Sequence, residues 1–330
     1  MNTAVVILNW NGLQLLKTFL PSVVAHSDKA KIYIIDNASS DNSVAYIKEQ
    51  YPKIEIIQNA QNTGFAGGYN RGLKFVKEKY WILLNSDVEV TPNWIAPLIT
   101  SLESSPVIAA VQPKIKSYQE KNKFEYAGAA GGLLDQLAYP YCRGRIFDTL
   151  EEDTQQYDEN CRIMWASGAC FAVKKEVFMN LGGFDEDYFA HQEEIDLCWR
   201  MHNFGYHIYY AYQSQVYHLG GGTLNYQNPQ KTYLNFRNSL YNIIKNTPQH
   251  TKQLILQRFL LDVLASLKFL TKLEFKHFLA VYKAYFSMIL TYSKVSRKRK
   301  NTFNSAQYYT VKSIVWHRYF LGRKHESSIK

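Results

Sequence analysis

The sequence predicts an α/β fold: a mostly parallel sheet flanked by helices, followed by a helical extension. Three observations lead there. Strand-like and helix-like stretches alternate through the first hundred residues, the strand-like runs are continuously apolar, and from Thr232 onward apolar residues recur at helical spacing. Continuous apolar runs suit strands covered on both faces, as in a parallel sheet with helices above and below.

Taken in order, Ala4-Val5-Val6-Ile7-Leu8 is the first such run, and a helical pattern follows through Leu13, Leu16, Phe19 and Leu20. Lys31 to Asp36 forms the second strand, closed by the polar loop Asn37-Ala38-Ser39-Ser40-Asp41, which can cap a helix from Val44 to Tyr51. Ile54 to Ile57 reads as the third strand, Phe65 to Lys79 as a helix, and Tyr80 to Leu84 as the fourth strand. Sheets of this kind bind ligands at the carboxyl ends of their strands, near the point where strand order reverses. From Val107 to about Leu219 the pattern is mixed, with shorter strands, Gly-rich turns and one clear helix, Lys175 to Leu181. Tyr118 to Asp158 is loop-rich and reads either as a mobile element over a site or as a surface insertion. Ile255, Phe259, Val263, Leu267 and Leu270 then recur at helical spacing with Lys252, Arg258, Lys268 and Lys272 interleaved, and a second such helix is expected from Phe278 to Leu290. The expected division is a catalytic domain over 1–230 and a basic amphipathic helical region over 231–330.

Composition narrows the function classes. With 46% hydrophobic and 20% charged residues the chain can bury a sizeable core. The net charge of +10 is uneven: Thr251 to Lys330 holds 16 Lys or Arg against 3 Asp or Glu, and the first 250 residues hold 22 against 25. A basic tail attracts anionic surfaces, but the near-neutral first 250 residues argue against nucleic acid as the partner. The tail helices pair apolar stripes with Lys and Arg, which fits an anionic membrane surface; packing on the catalytic domain or on a second copy, giving a homo-oligomer, is the other reading. Cys142, Cys161, Cys170 and Cys198 lack metal-site or disulfide-frame spacing and read as reduced thiols of a cytosolic protein. Met1-Asn2-Thr3 runs straight into a strand with no leader-like stretch, and no apolar run reaches about 18 residues. The expected location is therefore cytoplasmic, peripheral at the inner face of the plasma membrane.

Polar clusters fall where strands end. Asn9, within Leu8-Asn9-Trp10-Asn11-Gly12, ends the first strand, and Asp36, able to accept hydrogen bonds from a base or ribose, ends the second. Asn62-Thr63-Gly64-Phe65-Ala66-Gly67-Gly68-Tyr69-Asn70 opens a helix, where glycines let backbone N–H groups approach phosphate; it lacks the G-K-[ST] ending of a P-loop and the G-x-G-x-x-G spacing of a dinucleotide site. Asn85-Ser86-Asp87 follows the fourth strand, and an Asp there is a natural ligand for a hard divalent cation. Glu193, Glu194 and Asp196 place three carboxylates within four residues, which repel unless a cation or a working proton offsets them. On a helix Glu193 and Asp196 share a face and Glu194 points elsewhere. His218, before Gly220-Gly221-Gly222-Thr223, can ligate a metal as neutral imidazole or serve structurally.

The order and spacing of these clusters resemble glycosyltransferase family 2, and within it the rhamnosyltransferase-like and galactofuranosyltransferase-like branch. The matching stretches are Val5–Gly12, Ile34–Asp41, Asn62–Gly72, Leu83–Val90, Ser167–Asp187, Glu193–Arg200 and His218–Thr223, with Phe236-Arg237-Asn238 similar further on. The resemblance implies a GT-A fold, a nucleotide-sugar donor such as dTDP-rhamnose or a UDP-sugar, Mg2+ or Mn2+, and a single inverting displacement onto a glycan or lipid-linked glycan acceptor. It also implies roles. Asn9 and Asp36 would contact base and ribose, with Asn62, Gly64 and Asn70 nearby. Asn85 and Asp87 would replace the family's D-x-D pair, Asp87 binding the metal and His218 adding a ligand. Glu194 would be the catalytic base, with Asp196 in reserve. The chain departs from the pattern in having Asn at 85 and Glu, one methylene longer than the usual Asp, at 194. A nucleotidyltransferase would need a Gly- and basic-rich loop after the first strand, which Asn9-Trp10-Asn11-Gly12 is not. A glycoside hydrolase would use two opposed carboxylates and no metal-bound diphosphate.

Overall fold

The computed structural model describes residues 1–220, 228–300 and 307–329. The first half alternates as expected: β1 (Thr3–Asn9), α1 (Leu13–His26), β2 (Lys31–Asp36), α2 (Ser43–Gln50), β3 (Glu55–Gln58), α3 (Gly64–Gly72), β4 (Tyr80–Asn85), β5 (Val88–Val90), α4 (Ile95–Glu103) and β6 (Ile108–Ser117). Short strands β7 (Gly132–Leu134), β8 (Pro140–Cys142), β9 (Arg145–Ile146) and β10 (Thr149–Leu150) make a separate antiparallel sheet. The chain re-enters the main sheet with β11 (Cys161–Ile163), β12 (Cys170–Lys174), α5 (Lys175–Asn180), α6 (Glu193–Asn203) and β13 (His207–His218), and ends with α7 (Pro229–Asn246), α8 (Thr251–Thr271) and α9 (Phe275–Ser296).

The main sheet runs β11-β13-β6-β12-β4-β1-β2-β3, with β5 paired to β13. β1 to β4 are mutually parallel, and β12 inserts antiparallel between β4 and β6. Alternate side chains of β1 serve opposite faces: Ala4 and Val6 pack with Tyr69 of α3, Phe178 of α5 and Leu197 of α6, whereas Val5 and Ile7 pack with Leu16 and Leu20 of α1 and Leu98 of α4. Helices therefore cover both faces, and all polar loops that follow β1, β2 and β4 emerge at one edge.

Three expectations change. The helix expected to reach Lys79 ends at Gly72, with one 3-10 turn over Leu73–Phe75; buried Leu73 and Val76 hold the chain against the core, and it then extends toward β4. The stretch from Val107 holds two long strands, the 10-residue β6 and the 12-residue β13, whose pairing is accommodated by a register shift between Ala211 and Gln215. The second tail helix is longer at both ends than Phe278–Leu290. The helical region also shares its core with the sheet: Ile243 and Leu254 lie in the same buried cluster as Val6 and Trp199.

Candidate active site

Register brings the strand ends level. Asn9 pairs beside Asp36, and Leu8 beside Asn85, so β1, β2 and β4 stop together and release their loops into one crevice. After β4 the turn at Ser86 and Asp87 leads into β5, whose Val88 lies opposite His218 at the end of β13. This pairing carries His218 across to Asp87: its Nε2 is 3.2 Å from Asp87 Oδ1. On the other side Nδ1 lies 3.2 Å from Glu125 Oε2, a charge contact without hydrogen-bond alignment. Burial alone would lower the imidazole pKa, but the two carboxylates win and hold it well above its usual range. Burial likewise pushes Asp87 up, and the imidazole outweighs it and lowers the carboxyl.

The acidic stretch sits across the crevice at the start of α6. Its approach is backbone-strained: Phe189, His191 and Gln192 all have positive φ, at 63°, 69° and 68°. α7 fastens this loop. Asn238 Nδ2 donates to the carbonyls of Tyr188 (3.2 Å), Ala190 (2.9 Å) and His191 (2.7 Å), and Arg237 Nη2 donates to that of Asp187 (2.9 Å). Glu193 and Glu194 follow. Burial raises both carboxyls, Glu194 to about 7, while backbone N–H groups around Glu194 and Gly168 oppose the rise. Glu194 is partly exposed, yet its Oε2 is enclosed without a hydrogen-bond partner, and so is Glu193 Oε2.

A short chain of contacts links this helix start to the strand ends. Asn85 N donates to Ala169 O at 2.9 Å, and a Cβ on the preceding Gly168 would lie only 3.9 Å from the Glu194 carboxyl carbon. Asp87 stands two residues beyond Asn85, so Gly168–Ala169 forms a wall between Glu194 and the strand end that leads to Asp87 and His218.

Several expected contacts are engaged within the protein instead. Asn9 and Asp36 are buried: Asn9 Nδ2 donates to Asp36 Oδ1 (3.1 Å) and Ser43 Oγ (2.9 Å), and Asp36 Oδ2 accepts from Ser39 N (3.0 Å). They form a floor under the loop 37–43 rather than an open edge for base and ribose. The Gly-rich helix start does not present a phosphate cradle. Asn62 Oδ1 accepts from Gly64 N (2.9 Å), and Phe65 N donates to Phe189 O (2.8 Å). Gly64 is needed because φ is +72° and a Cβ would lie 2.4 Å from Phe189 O. Asn70 points to the loop 182–186, exchanging hydrogen bonds with Phe184 O (2.8 Å) and N (3.0 Å). Asp196 is buried and tied at 2.7 Å to Lys245, 2.8 Å to Arg200 and 2.9 Å to Asn246, which hold its carboxyl far below the usual range despite burial. Those ties leave it no role as the reserve base. Gly221, Gly222 and Thr223 lie outside the described residues.

Sequence reasoning missed Glu125 and Lys245, and gave Gly168, inside the matching stretch Ser167–Asp187, no role. Glu125 comes from the loop-rich stretch, where no periodicity or spacing singles out one acid, and Lys245 is one of many tail cations.

Asp87 and His218 could share a small divalent cation, which would have to displace the proton that the two carboxylates hold on the imidazole. Their facing donor atoms, 3.2 Å apart, can serve one ion, and Mg2+ commonly takes one or two protein ligands with the remainder from phosphate and water. Glu125 then occupies the position behind the histidine that orients a metal-binding imidazole. Among the described residues no group of three or more His, Cys, Asp or Glu is arranged to hold a metal unaided.

The chain is 23% identical over 218 residues to N-acetylglucosaminyl-diphospho-decaprenol L-rhamnosyltransferase of Mycobacterium tuberculosis, covering 62% of this chain and 71% of that protein. It is 24% identical over 214 residues to rhamnosyltransferase WbbL of Escherichia coli, covering 63% and 79%. Among solved structures it superposes on mannosyltransferase PcManGT from Pyrobaculum calidifontis in complex with GDP-Man and Mn2+ with a TM-score of 0.53 at 13% identity, covering 88% of this chain and 75% of that one. It superposes on GalNAc-T7 with UDP, GalNAc and Mn2+ with a TM-score of 0.54 at 22% identity, covering 66% of this chain and 43% of the other, so it spans less than half of that protein's length. The fold is GT-A. The model of "Glycosyl transferase family 2" matches residues 4–182, more than half of the chain and every strand end from Asn9 to Asp87, and the protein belongs to that family.

Proposed function

We propose that this protein is a metal-dependent, inverting glycosyltransferase that moves a sugar from a nucleotide-sugar donor, dTDP-rhamnose or a UDP-sugar, onto a hydroxyl of a cell-surface polysaccharide or lipid-linked glycan precursor. The observation that carries the reading is the shared wall at Gly168–Ala169, which sets the raised-pKa carboxyl of Glu194 beside the strand end leading to Asp87 and His218.

In this reading Glu194 takes the proton from the acceptor hydroxyl as it attacks the anomeric carbon. A carboxyl poised near neutrality is matched to that work, which contributes roughly 10²–10⁴-fold. Asp87 and His218 would hold Mg2+ or Mn2+, which when bound neutralises charge on the diphosphate leaving group. Glu125 keeps His218 facing Asp87. Asn85 lines the crevice between them, and Asn9 and Asp36 support the nucleotide end from beneath. The rhamnosyltransferase names among the relatives support rhamnose as the first sugar to try.

The test is turnover of a panel of nucleotide sugars with Mn2+, read as released nucleotide diphosphate, alongside donor-induced thermal shift. Donor-dependent stabilisation that needs the cation, with turnover lost in Asp87→Ala, supports the reading. Equal stabilisation of the wild-type protein and Asp87→Ala by donor and Mn2+ overturns the metal assignment.

A further inference from the structure

The first helix of the tail hairpin is built inside out. On α8 the residues turned inward at i, i+4 spacing are Leu254, Arg258, Asp262 and Ser266, and three of the four are polar. Arg258 Nε bonds Asp262 at 3.1 Å and its Nη1 bonds Leu137 O at 2.9 Å, while Asp262 also accepts from Tyr139 and Tyr285. The opposite stripe carries the leucines: Leu256, Leu260, Leu264 and Leu267 are 61%, 60%, 59% and 45% exposed. α9 is apolar on both sides, burying Ala284, Tyr285 and Met288 and also exposing Leu279, Phe286, Ile289 and Leu290. A water-facing helix ordinarily places its polar residues outward. An outer apolar stripe on both helices marks a face made to be covered.

Charge and aromatic placement say by what. Between Thr251 and Lys300 there are 11 Lys or Arg against two acids, one of them the buried Asp262. Lys252, Lys268, Lys272, Lys276, Lys283 and Arg297 are all exposed along these helices. Two copies meeting through this face would oppose like charge, whereas an anionic bilayer complements it. A π-helical turn, Trp316–Phe320, adds exposed Trp316, Tyr319 and Phe320, and Lys268 Nζ lies 5.6 Å from the Tyr319 ring centre, so these aromatics border α8. Trp and Tyr beside Lys are the side chains that settle at the headgroup level of a membrane. Among the described residues no helix is long and apolar enough to cross one.

We infer that the outer face of the α8–α9 hairpin, edged by Trp316 and Tyr319, docks flat on an anionic lipid surface. Docking at this face rests on the hairpin alone and holds whatever sugar the site transfers. It also has a route to that site, because Lys294 and Lys298, at the open end of the hairpin, reach Asp185 and Asp187, on the loop that leads to Glu194.

The test is co-sedimentation of the full chain with vesicles of phosphatidylcholine alone and with phosphatidylglycerol added. The expected result is binding to the anionic vesicles that weakens with salt. Leu260→Glu/Leu264→Glu/Leu290→Glu should weaken it at least about tenfold, as burying a single leucine side chain corresponds to that much or more, with thermal unfolding unchanged. Lys268→Glu/Lys276→Glu, which leaves the apolar stripe intact, should weaken it several-fold. No wild-type binding, equal binding to neutral vesicles, or undiminished binding by the leucine variant overturns the inference. A concentration-dependent dimer in lipid-free buffer that the leucine variant dissociates also overturns it and gives the face to a second copy.

Discussion

Two groups of carboxylates, neighbours in sequence and in space, are treated in opposite ways. Asp185, Asp187 and Asp196 meet Lys245, Lys294, Lys298 and Arg200, which hold all three carboxyls below their usual range against the opposing effect of burial. Glu193, buried, and Glu194, partly exposed, stand at the same helix start, have no basic partner among the described residues and are raised. The cations come largely from the helical tail. The first group binds tail to catalytic domain; the second is left poised for protons. A run of acids is thus divided into brace and site by which members the tail reaches.

The sharpest way to break this contrast is to exchange the roles. Glu194→Gln should lower turnover by roughly 10²–10⁴-fold without lowering the temperature of thermal unfolding. A variant with near-normal turnover would remove Glu194 from the proposed chemistry.

Asp196→Ala should act on stability first. It leaves Lys245 and Arg200 without their shared buried partner, a change that costs about 3–5 kcal/mol, measured by urea unfolding. If Asp196→Ala instead unfolds like the wild-type protein but loses turnover, the division into brace and site fails.

Asn238→Ala tests whether the strained loop depends on the tail. Losing donors to three loop carbonyls should cost about 1–3 kcal/mol and reduce turnover more than donor binding. Equal loss in both would show that the loop also shapes the donor pocket.

The smallest effect is pH-dependent. The folded-state carboxyl of Glu194 titrates at about 7 against an ordinary value of 4.5. Between those values the folded state retains a proton that the unfolded chain has lost, so wild-type stability falls as pH rises through the window. Glu194→Gln lacks that loss. Its Tm should therefore match the wild-type protein's near pH 4.5 and exceed it by a growing margin up to about pH 7. Parallel pH profiles would show that Glu194 is not raised.

Much of this was legible from residue order. The apolar runs ending at Leu8, Asp36 and Leu84 became adjacent parallel strands, and the acids at 193, 194 and 196 divided between helix faces as their spacing requires. Misreadings came where one residue type serves two purposes. Glycine at 64 looks the same in a sequence whether it admits a phosphate or another backbone, and only the approach of Phe189 distinguishes them. Asn70 likewise reads as a loop polar residue until Phe184 is placed beside it.

By itself the sequence determined the alternation of elements, the residues at which the strands end and the identity of the acids, because apolar periodicity and strand length are local properties. Tertiary structure alone decided which acids are neutralised, that Glu125 stands behind His218, and that the leucines of α8 face outward while Arg258 and Asp262 face in. Most of those outcomes depend on partners 23 to 123 residues away in the chain, as with Tyr285 and Tyr139 toward Asp262. Electrostatic energy follows distance in space, which residue order does not encode.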